Sequence, residues 1–330
     1  MSYRRIGVNP ISGALGAEID GVDLSRPLDN EVFAEVHQAL LDHLVIFFRD
    51  QAISPDQHVA FARRFGEIDL RPFVRPLELE VLPDHPEVLD VVKEPGETLN
   101  FGGVWHHDVS YREKPNLGSV LIARESPTHG GDTMFANQYL AYQTLSDGMK
   151  TLLGSLTAVH SSIRGYDGDR LASLYGVRRD ELDEDSVKRS IAKAETTQAE
   201  HPVVRTHPET RKKCVFVNRS YTMRFSGWTD EESRPLLTQL FAHSVKPEFT
   251  CRFRWRAGSV AMWDNRAAMH YALNDYRGQR RVRHRVASHG DRPFGGRQRP
   301  FPGVNNPNPN RSALAWTSRG RTPRGSRCPW

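Results

Sequence analysis

Trp105-His106-His107-Asp108-Val109-Ser110 places two metal-binding residue types two positions apart. Side chains two residues apart lie on the same face of a β-strand. If the run is extended, His106 and Asp108 therefore point the same way, and His107 points the opposite way. One imidazole and one carboxylate are two of the three ligands of the 2-His-1-carboxylate set. That set binds Fe(II) on one side and leaves positions open for a cosubstrate and O2.

The motif alone does not establish a metal site, because an ordinary buried His–Asp pair has the same spacing. The third ligand has to come from a distant histidine, and His270 is a good candidate. We expect His107 to be packed or hydrogen bonded instead of bound to metal. Five other histidines are predicted to be structural: His160, His201, His243, His284 and His289.

Length and composition indicate a soluble globular protein. The chain has 330 residues, of which 38% are hydrophobic and 26% are charged, enough for a sizeable core. No apolar run approaches the ~20 residues of a membrane-spanning helix, and no secretion-signal core follows the N-terminus. Cys214, Cys251 and Cys328 are odd in number and fit no zinc-binding spacing. We therefore expect a cytoplasmic protein.

The basic charge of the chain belongs to its last part. The net charge is +5, but residues 291–330 hold eight arginines and one aspartate, together with many Pro and Gly. Such a composition buries too little apolar surface to offset the entropy of ordering, so we predict a disordered tail after a single domain of residues 1–290. The tail could contact nucleic acid or an acidic partner, but a solvated appendage is the preferred interpretation.

Patterns along residues 1–290 favour a mainly β fold with flanking helices. Several short apolar runs bounded by turns predict strands, among them residues 43–49, 117–123, 250–256, 259–263 and 280–288. Ser54-Pro55-Asp56-Gln57 is a capping box that begins a helix, and Thr229 caps another. Helical insertions are predicted at about 137–200 and 229–246, and residues 71–97 are predicted as loop and short strand that could act as a lid. This arrangement is typical of a β-sandwich or jelly roll.

The last predicted strand carries arginines at every second position. Arg281, Arg283 and Arg285 share one face, with Val282 and His284 on the other. Such a ladder could face solvent on an edge strand, where charge prevents aggregation. It could also line a polar barrel interior, where guanidinium groups bind carboxylates or sulfonates. The strand alone favours the solvent-facing interpretation.

Several motifs, taken together and in order, resemble the taurine/2,4-dichlorophenoxyacetate dioxygenase family of Fe(II)- and 2-oxoglutarate-dependent oxygenases. They are Gly16-Ala17-Glu18-Ile19, Phe65-Gly66-Glu67, Trp105-His106-His107-Asp108, Gly130-Gly131-Asp132-Thr133, Trp263-Asp264-Asn265-Arg266, His270 and Arg281 to Arg285. The resemblance covers roughly residues 5–294. Several motifs at matching spacing make it far more specific than any single one.

The resemblance implies a double-stranded β-helix, a cupin-like jelly roll, in which His106, Asp108 and His270 bind the iron. It also implies that Arg281, eleven residues after the distal histidine, anchors the far carboxylate of 2-oxoglutarate. Thr133 would donate to that carboxylate or to its neighbour. The implied reaction consumes 2-oxoglutarate and O2, yields succinate and CO2, and hydroxylates a small anionic organic substrate. The resemblance also implies a homo-oligomer. We expect Trp263 and Asn265 to be core and strand-pairing residues.

The substrate contacts depart from those of taurine dioxygenases. Positions at which those enzymes have His, Tyr and Asn are here Arg71, Val74 and Gly102. The predicted substrate-binding residues are Arg285, Phe216, Arg71 and Tyr166. The change argues against taurine and favours a sulfonate, a sulfate ester or an aryloxy or alkyl carboxylate. The rival interpretation is a metal-binding β-barrel without oxygenase activity.

Overall fold

The computed structural model describes residues 3–70, 80–98, 100–162 and 197–296. Its strands are β1 Gly7–Pro10, β2 Ala17–Asp20, β3 Val45–Phe48, β4 Glu80–Leu82, β5 His85–Lys93, β6 Gly118–Glu125, β7 Thr133–Asn137, β8 Thr157–Ser161, β9 Gln198–Pro202, β10 Val204–Thr206, β11 Lys213–Val215, β12 Thr222–Phe225, β13 Thr250–Phe253, β14 Val260–Asp264, β15 Ala268–Ala272 and β16 Arg281–Ser288. Its helices are α1 Asn30–His43, α2 Pro55–Arg63, α3 Gln138–Gln143, α4 Asp147–Gly154 and α5 Asp230–His243, with a 3-10 turn at Pro247–Phe249.

Two sheets of the described chain carry the architecture. The larger has eight strands in the order β1-β2-β3-β14-β6-β16-β5-β4, and the smaller has the order β13-β7-β15. Two further small sheets, β12-β8-β9 and β10-β11, lie beside them. The structure is thus mainly β with flanking helices, as the sequence predicted.

Strands β3 and β14 of the large sheet are apolar on both faces, because both faces are covered. In β3, Ile46 and Phe48 pack into the core beneath α1 and α2, whereas Val45 and Phe47 pack into the core between the two sheets. Strand β14 repeats the alternation, with Met262 on the helix side. A third cluster surrounds α3, α4 and α5. This explains why both strands appear in the sequence as continuous apolar runs.

Helix starts were predicted correctly where the signal is local. Ser54 accepts from the Gln57 backbone N–H, and the Gln57 side chain accepts from Ser54 in return. The same reciprocal bonds join Thr229 and Glu232 at the start of α5. Ser146 caps α4. These boxes satisfy amide groups that would otherwise lack partners, which is why they define the helix start so sharply.

The structure corrects two of the sequence-based interpretations. Residues 85–93, part of a stretch predicted as loop and short strand that could act as a lid, form the nine-residue strand β5, and Leu89–Lys93 of this strand pair with Arg281–Arg285 of β16. Strand β16 is therefore central, between β6 and β5, and the solvent-facing arginine ladder is excluded. The sequence did not predict β5 as a continuous strand, because Pro86 and charged residues interrupt its alternation of apolar and polar residues. Residues 71–79 of the predicted lid lie outside the described residues, as do residues 163–196 of the predicted insertion.

The packed body continues beyond residue 290. Asp291 accepts a hydrogen bond of 2.5 Å from the buried guanidinium of Arg205, and the Phe294 carbonyl accepts one from the Thr206 backbone. The compact unit runs Met1–Arg297, so its boundary lies after the predicted one. No helix in the described part of the chain is long and apolar enough to span a bilayer.

Candidate active site

Backbone pairing brings the two histidines of the predicted triad together. His106 and His270 form an isolated antiparallel bridge, in which each backbone N–H donates to the other residue's carbonyl, at 3.2 and 3.0 Å. His270 lies in the middle of β15, a strand that the sequence analysis missed. The extended run predicted over residues 105–110 was wrong beyond His106, because the chain turns there and Val109 has a positive φ of 43°.

The turn places the carboxylate of Asp108 against both imidazoles. Its Oδ1 lies 3.5 Å from Nε2 of His106 and 3.6 Å from Nε2 of His270. One ligand atom from each of the three residues falls within 4.8 Å of the others, and all three side chains are buried. The structure thus brings the predicted ligand set to one point.

Four residues hold Asp108 in place. Its Oδ2 accepts hydrogen bonds from Nε1 of Trp263, at 3.2 Å, and from the guanidinium of Arg285. Ser119 Oγ accepts from Nε and Nη2 of Arg285, at 3.1 and 2.8 Å, and so fixes that guanidinium. The side chain of Asn265 accepts from the Asp108 backbone N–H and donates to its carbonyl. The sequence predicted Trp263 and Asn265 as core and strand-pairing residues. Their motif, Trp-Asp-Asn-Arg, does not reveal that both side chains hydrogen bond to Asp108.

Electrostatics favour an ionised Asp108 and a neutral His270, the forms in which both residues bind a metal. Burial alone would raise the pKa of Asp108, but Arg285 and the imidazoles lower it well below its ordinary value. Burial, together with the neighbouring His106, lowers the pKa of His270 well below its ordinary value. The Val104 carbonyl lies 2.6 Å from Nδ1 of His106, which assigns the proton to Nδ1 and leaves the Nε2 lone pair facing the site.

The donor set fits a divalent transition metal. Oδ1 of Asp108 is buried and makes no hydrogen bond within the described chain, so a lone pair faces the two imidazoles unsatisfied. A buried carboxylate oxygen without a donor is costly, and a metal ion supplies the missing partner. Two imidazoles and one carboxylate are the ligands of the non-haem Fe(II) set. His106, Asp108 and His270 would therefore bind the iron.

A pocket between the two sheets opens beside the triad. The strands that surround it contribute Val91, Leu121, Thr133, Phe135, Trp263, Ala272, Arg281, Arg283 and Arg285, and the neighbouring loops contribute Phe101, Gly102 and Trp255. Arg281, Arg283 and Arg285 are 6%, 1% and 4% exposed, so β16 presents its arginines to the interior. None of the described residues that line the pocket is acidic. The arrangement is suited to an anion with more than one negative charge.

The predicted cosubstrate residues lie in this pocket. Thr133 Oγ1 accepts a hydrogen bond of 2.9 Å from Nε1 of Trp255, which leaves its own hydroxyl proton for another acceptor. The guanidinium carbon of Arg281 lies 5.5 Å from the centroid of the Tyr276 ring. Burial lowers the pKa of Arg281. Burial also lowers the pKa of Arg283 well below its ordinary value, and the charge of Arg281 lowers it further.

The predicted substrate residues are not all in the pocket. Phe216 is fully buried behind the triad, with its ring centroid 4.6 Å from that of His107, and it is not among the pocket-lining residues. The Phe216 ring lies against His107, and its role as an aromatic wall for the substrate stays a prediction. Arg71 and Tyr166 lie outside the described residues, and their contacts stay predictions.

The comparisons with known proteins agree with this geometry. The chain is 36% identical to the alpha-ketoglutarate-dependent sulfate ester dioxygenase of Pseudomonas putida, over 88% of this chain and 91% of that protein. It is 33% identical to an alkylsulfatase of Acinetobacter baylyi, over 87% of this chain and 86% of that protein. The solved structure of a taurine dioxygenase from Burkholderia xenovorans matches with a TM-score of 0.71 and 35% identity, over 88% of this chain and 93% of that one. This likeness confirms the predicted jelly-roll core.

The family profile described as "Taurine catabolism dioxygenase TauD, TfdA family" matches residues 7–287, nearly the whole of the compact unit. With the His-Asp-His set and the cationic pocket in place, this match favours an oxygenase over a metal-binding barrel without oxygenase activity. The chain belongs to the TauD/TfdA family and is an Fe(II)- and 2-oxoglutarate-dependent dioxygenase.

Proposed function

We propose that this dioxygenase acts on sulfate esters of alkyl alcohols, and that sulfonates and aryloxy or alkyl carboxylates are poorer substrates. The observation that carries the proposal is the pocket beside the triad, which combines arginines with an apolar wall of Val91, Phe101 and Leu121. An alkyl sulfate has the matching chemistry, an anionic head on an apolar chain. The names of the sulfate ester dioxygenase and the alkylsulfatase among the relatives support the same class.

We propose the following roles for the residues of the pocket. Arg281 binds the far carboxylate of 2-oxoglutarate, and the Thr133 hydroxyl donates to the same group, since its oxygen already accepts from Trp255. Arg285 has two roles, because it hydrogen bonds to Asp108 and also lines the pocket. It fixes the iron-binding carboxylate and attracts the anionic head of the substrate to the metal.

Iron and 2-oxoglutarate supply the oxidising chemistry, in which one atom of O2 goes to succinate and the other replaces a substrate C–H bond by C–OH. The protein positions the substrate carbon that carries the ester oxygen. When that carbon is hydroxylated, its C–O bond to sulfate breaks, the hydroxyl proton leaves, and the products are an aldehyde and sulfate. No protein base is required, because sulfate is a good leaving group.

Gly102 supports the choice of a longer substrate over taurine. A Cβ at this position would lie 3.5 Å from Cε1 of His106, so the glycine leaves space at the triad that a larger side chain would occupy. Its φ of +80° is also a conformation that glycine adopts without strain. The position therefore offers no side-chain donor to a small amine and gives room to an apolar chain.

A substrate panel tests the proposal. Purified protein with Fe(II), ascorbate and 2-oxoglutarate would be given hexyl sulfate, taurine, hexanesulfonate and 2,4-dichlorophenoxyacetate, and succinate, aldehyde and sulfate would be measured. We expect hexyl sulfate to give equal amounts of succinate, hexanal and sulfate, at the highest kcat/KM. If taurine alone supports succinate formation, or if hexyl sulfate gives succinate without sulfate, the proposal is overturned.

We also propose a cytoplasmic homo-oligomer. Cys214 and Cys251 are buried and unpaired with each other, which suits a reducing compartment where Fe(II) is kept reduced. Cell fractionation tests the compartment, and sedimentation of the purified chain tests the assembly. Recovery in a secreted fraction, or a sedimenting species of one chain mass, would contradict the respective part.

A further inference from the structure

The interior face of β16 carries more positive charge than the described protein neutralises. Arg281, Arg283 and Arg285 all line the pocket, and Arg285 is hydrogen bonded to Asp108. The other two form no ion pair with any described acidic residue, and no acidic residue of the described chain lines the pocket. Burying a charge without a counter-charge costs free energy, so such a pair is kept where a ligand supplies the anion.

Arg283 is the least exposed of the three and is only partly satisfied. Its Nη1 donates to the backbone carbonyls of Glu125 and, at 3.1 Å, Val282. Its Nη2 is buried and has no hydrogen-bond partner among the described residues, and neither has Nε of Arg281. Both orphaned donors belong to side chains of one pocket wall.

The surroundings of Arg283 connect it to the proposed cosubstrate site. Its guanidinium carbon lies 5.0 Å from the centroid of the Trp255 ring. The same indole donates to Thr133, the residue assigned to the far carboxylate. Trp255 thus connects Thr133 to Arg283, and both line the pocket together with Arg281, whereas Arg285 is hydrogen bonded to Asp108 at the triad.

We propose that Arg283 is a second guanidinium that binds the far carboxylate of 2-oxoglutarate, next to Arg281. This inference rests on the proposed binding of the cosubstrate at Arg281. A carboxylate has two oxygens and about four acceptor positions, so it satisfies donors from both arginines and the Thr133 hydroxyl at once. The two cations then share one buried anion.

Binding of the far carboxylate by Arg283 affects which 2-oxo acids the protein accepts as cosubstrate. A 2-oxo acid that keeps the chelating end but has no far carboxylate, such as 2-oxovalerate, leaves both guanidinium groups without an anion. A site built around a buried polar partner rejects the analogue that lacks it far more strongly than an apolar site does. Arg283 therefore sharpens the preference for 2-oxoglutarate.

Arg283→Met is the test variant, because methionine is similar in length, uncharged and able to rest against Trp255. The Fe(II) protein is titrated without O2 with 2-oxoglutarate and with 2-oxovalerate, following the visible band of the chelate. We expect Arg283→Met to raise the Kd for 2-oxoglutarate about tenfold or more, the loss of one charge-assisted contact, with the Kd for 2-oxovalerate unchanged or lower.

Thermal unfolding separates this role from a structural one. Removing a buried cation without a counter-ion should leave the Tm of the ligand-free protein unchanged or raise it, and should reduce the rise in Tm that 2-oxoglutarate causes. If Arg283 only braces the Glu125 and Val282 carbonyls, the variant will have a lower Tm and an unchanged ratio of the two Kd values. That outcome overturns the inference.

Two further variants complete the design. Arg124 lies on the outer face of the same sheet, bonded to His284 and to the Ile53 carbonyl, so Arg124→Met controls for loss of a partly buried arginine and should change neither Kd. Arg281→Met reports on the proposed function. If it weakens 2-oxoglutarate binding and Arg283→Met does not, only the inference on Arg283 fails. If wild-type protein with iron bound shows no chelate band, both fail.

Discussion

Nε1 of Trp263 donates a hydrogen bond of 3.2 Å to Oδ2 of Asp108, so the indole fixes the carboxylate whose other oxygen faces the two imidazoles. Trp263 lies on β14 in the core between the sheets and is almost fully buried. The orientation of the iron-binding oxygen is therefore set by a core residue of the large sheet. A change in the packing around Trp263 would alter the position of the Asp108 carboxylate through this one hydrogen bond.

Trp263→Phe should weaken iron binding without unfolding the protein. The variant keeps an aromatic ring in the core but removes the donor to Asp108, and loss of such a supporting bond typically costs about 10–100-fold in metal affinity. Competition with a coloured Fe(II) chelator measures the effect. Trp228→Phe, at a partly buried tryptophan that packs against the core around α5, is the control and should bind iron as wild type does. Equal affinities in both variants would show that the bond does not position Asp108.

Asn265→Ala should destabilise the fold. The Asn265 side chain accepts from the Asp108 N–H at 2.6 Å and donates to the carbonyls of Asp108 and Asn116, at 3.1 and 3.0 Å. The alanine leaves these buried backbone groups without partners, and we expect a loss of about 2–4 kcal/mol in the free energy of unfolding. Urea denaturation measures it. Asn9→Ala, which removes an exposed bond to Asp20, should cost under about 0.5 kcal/mol.

Gly118→Ala tests the close contact between β6 and β14. A Cβ at Gly118 would overlap the backbone carbonyl oxygen of Trp263, so the two strands would have to separate. We expect a loss of about 1–3 kcal/mol, as for other overpacked sites, and weaker iron binding because Trp263 moves. A methyl group added at Gly148 in α4 would meet no atom within 4 Å, so Gly148→Ala should be neutral or stabilising. Similar effects at both positions would contradict the contact.

His58 should make stability fall in acid. Burial lowers its pKa to about 3, and its Nε2 lies 3.0 Å from the Val120 carbonyl. Below pH 6.5 the His58 side chain is protonated in the unfolded chain, whereas in the folded chain it stays neutral down to about pH 3. The free energy of unfolding therefore decreases as the pH falls from 6.5 to about 3. At pH 5 the loss from this group is about 2 kcal/mol.

His58→Gln keeps a donor for Val120 and removes the titration, so its Tm should fall less than that of wild type between pH 7 and pH 5. Differential scanning calorimetry across that range measures the difference. His129→Gln, at an exposed histidine, is the matched control for the substitution itself. Parallel curves for wild type and His58→Gln would refute a neutral buried imidazole at this position.

The sequence predicted those elements that are specified by interactions between residues close together in the chain. The capping boxes at Ser54 and Thr229 act within one turn, and both were found. Strand β15 and the full length of β5 were missed, since neither strand has a clean alternation and each depends on a partner far away in the chain. The interior position of Arg283 depends in turn on β5, because only that strand makes β16 central.

Only part of the candidate site could be predicted from the sequence. His106, Asp108 and His270 could be proposed from residue types and the order of motifs, and the structure brings them together. The hydrogen bonds from Trp263 and Asn265 to Asp108 could not be predicted from the sequence, because each joins positions more than 150 residues apart. The role of Phe216 was predicted by analogy of motif and stays a prediction, since its ring lies against His107 and outside this pocket.

The bridge between His106 and His270 separates metal loading from folding. Because the two backbones are hydrogen bonded to each other, the spacing of the imidazoles is set by the sheet and does not wait for a metal ion to gather them. A chelator should therefore strip the ion and leave a folded apoprotein that accepts a new one without refolding. Exchange between Fe(II) and competing divalent ions would then depend on their supply and their relative affinities, and a protein loaded with the wrong metal could be reloaded without refolding.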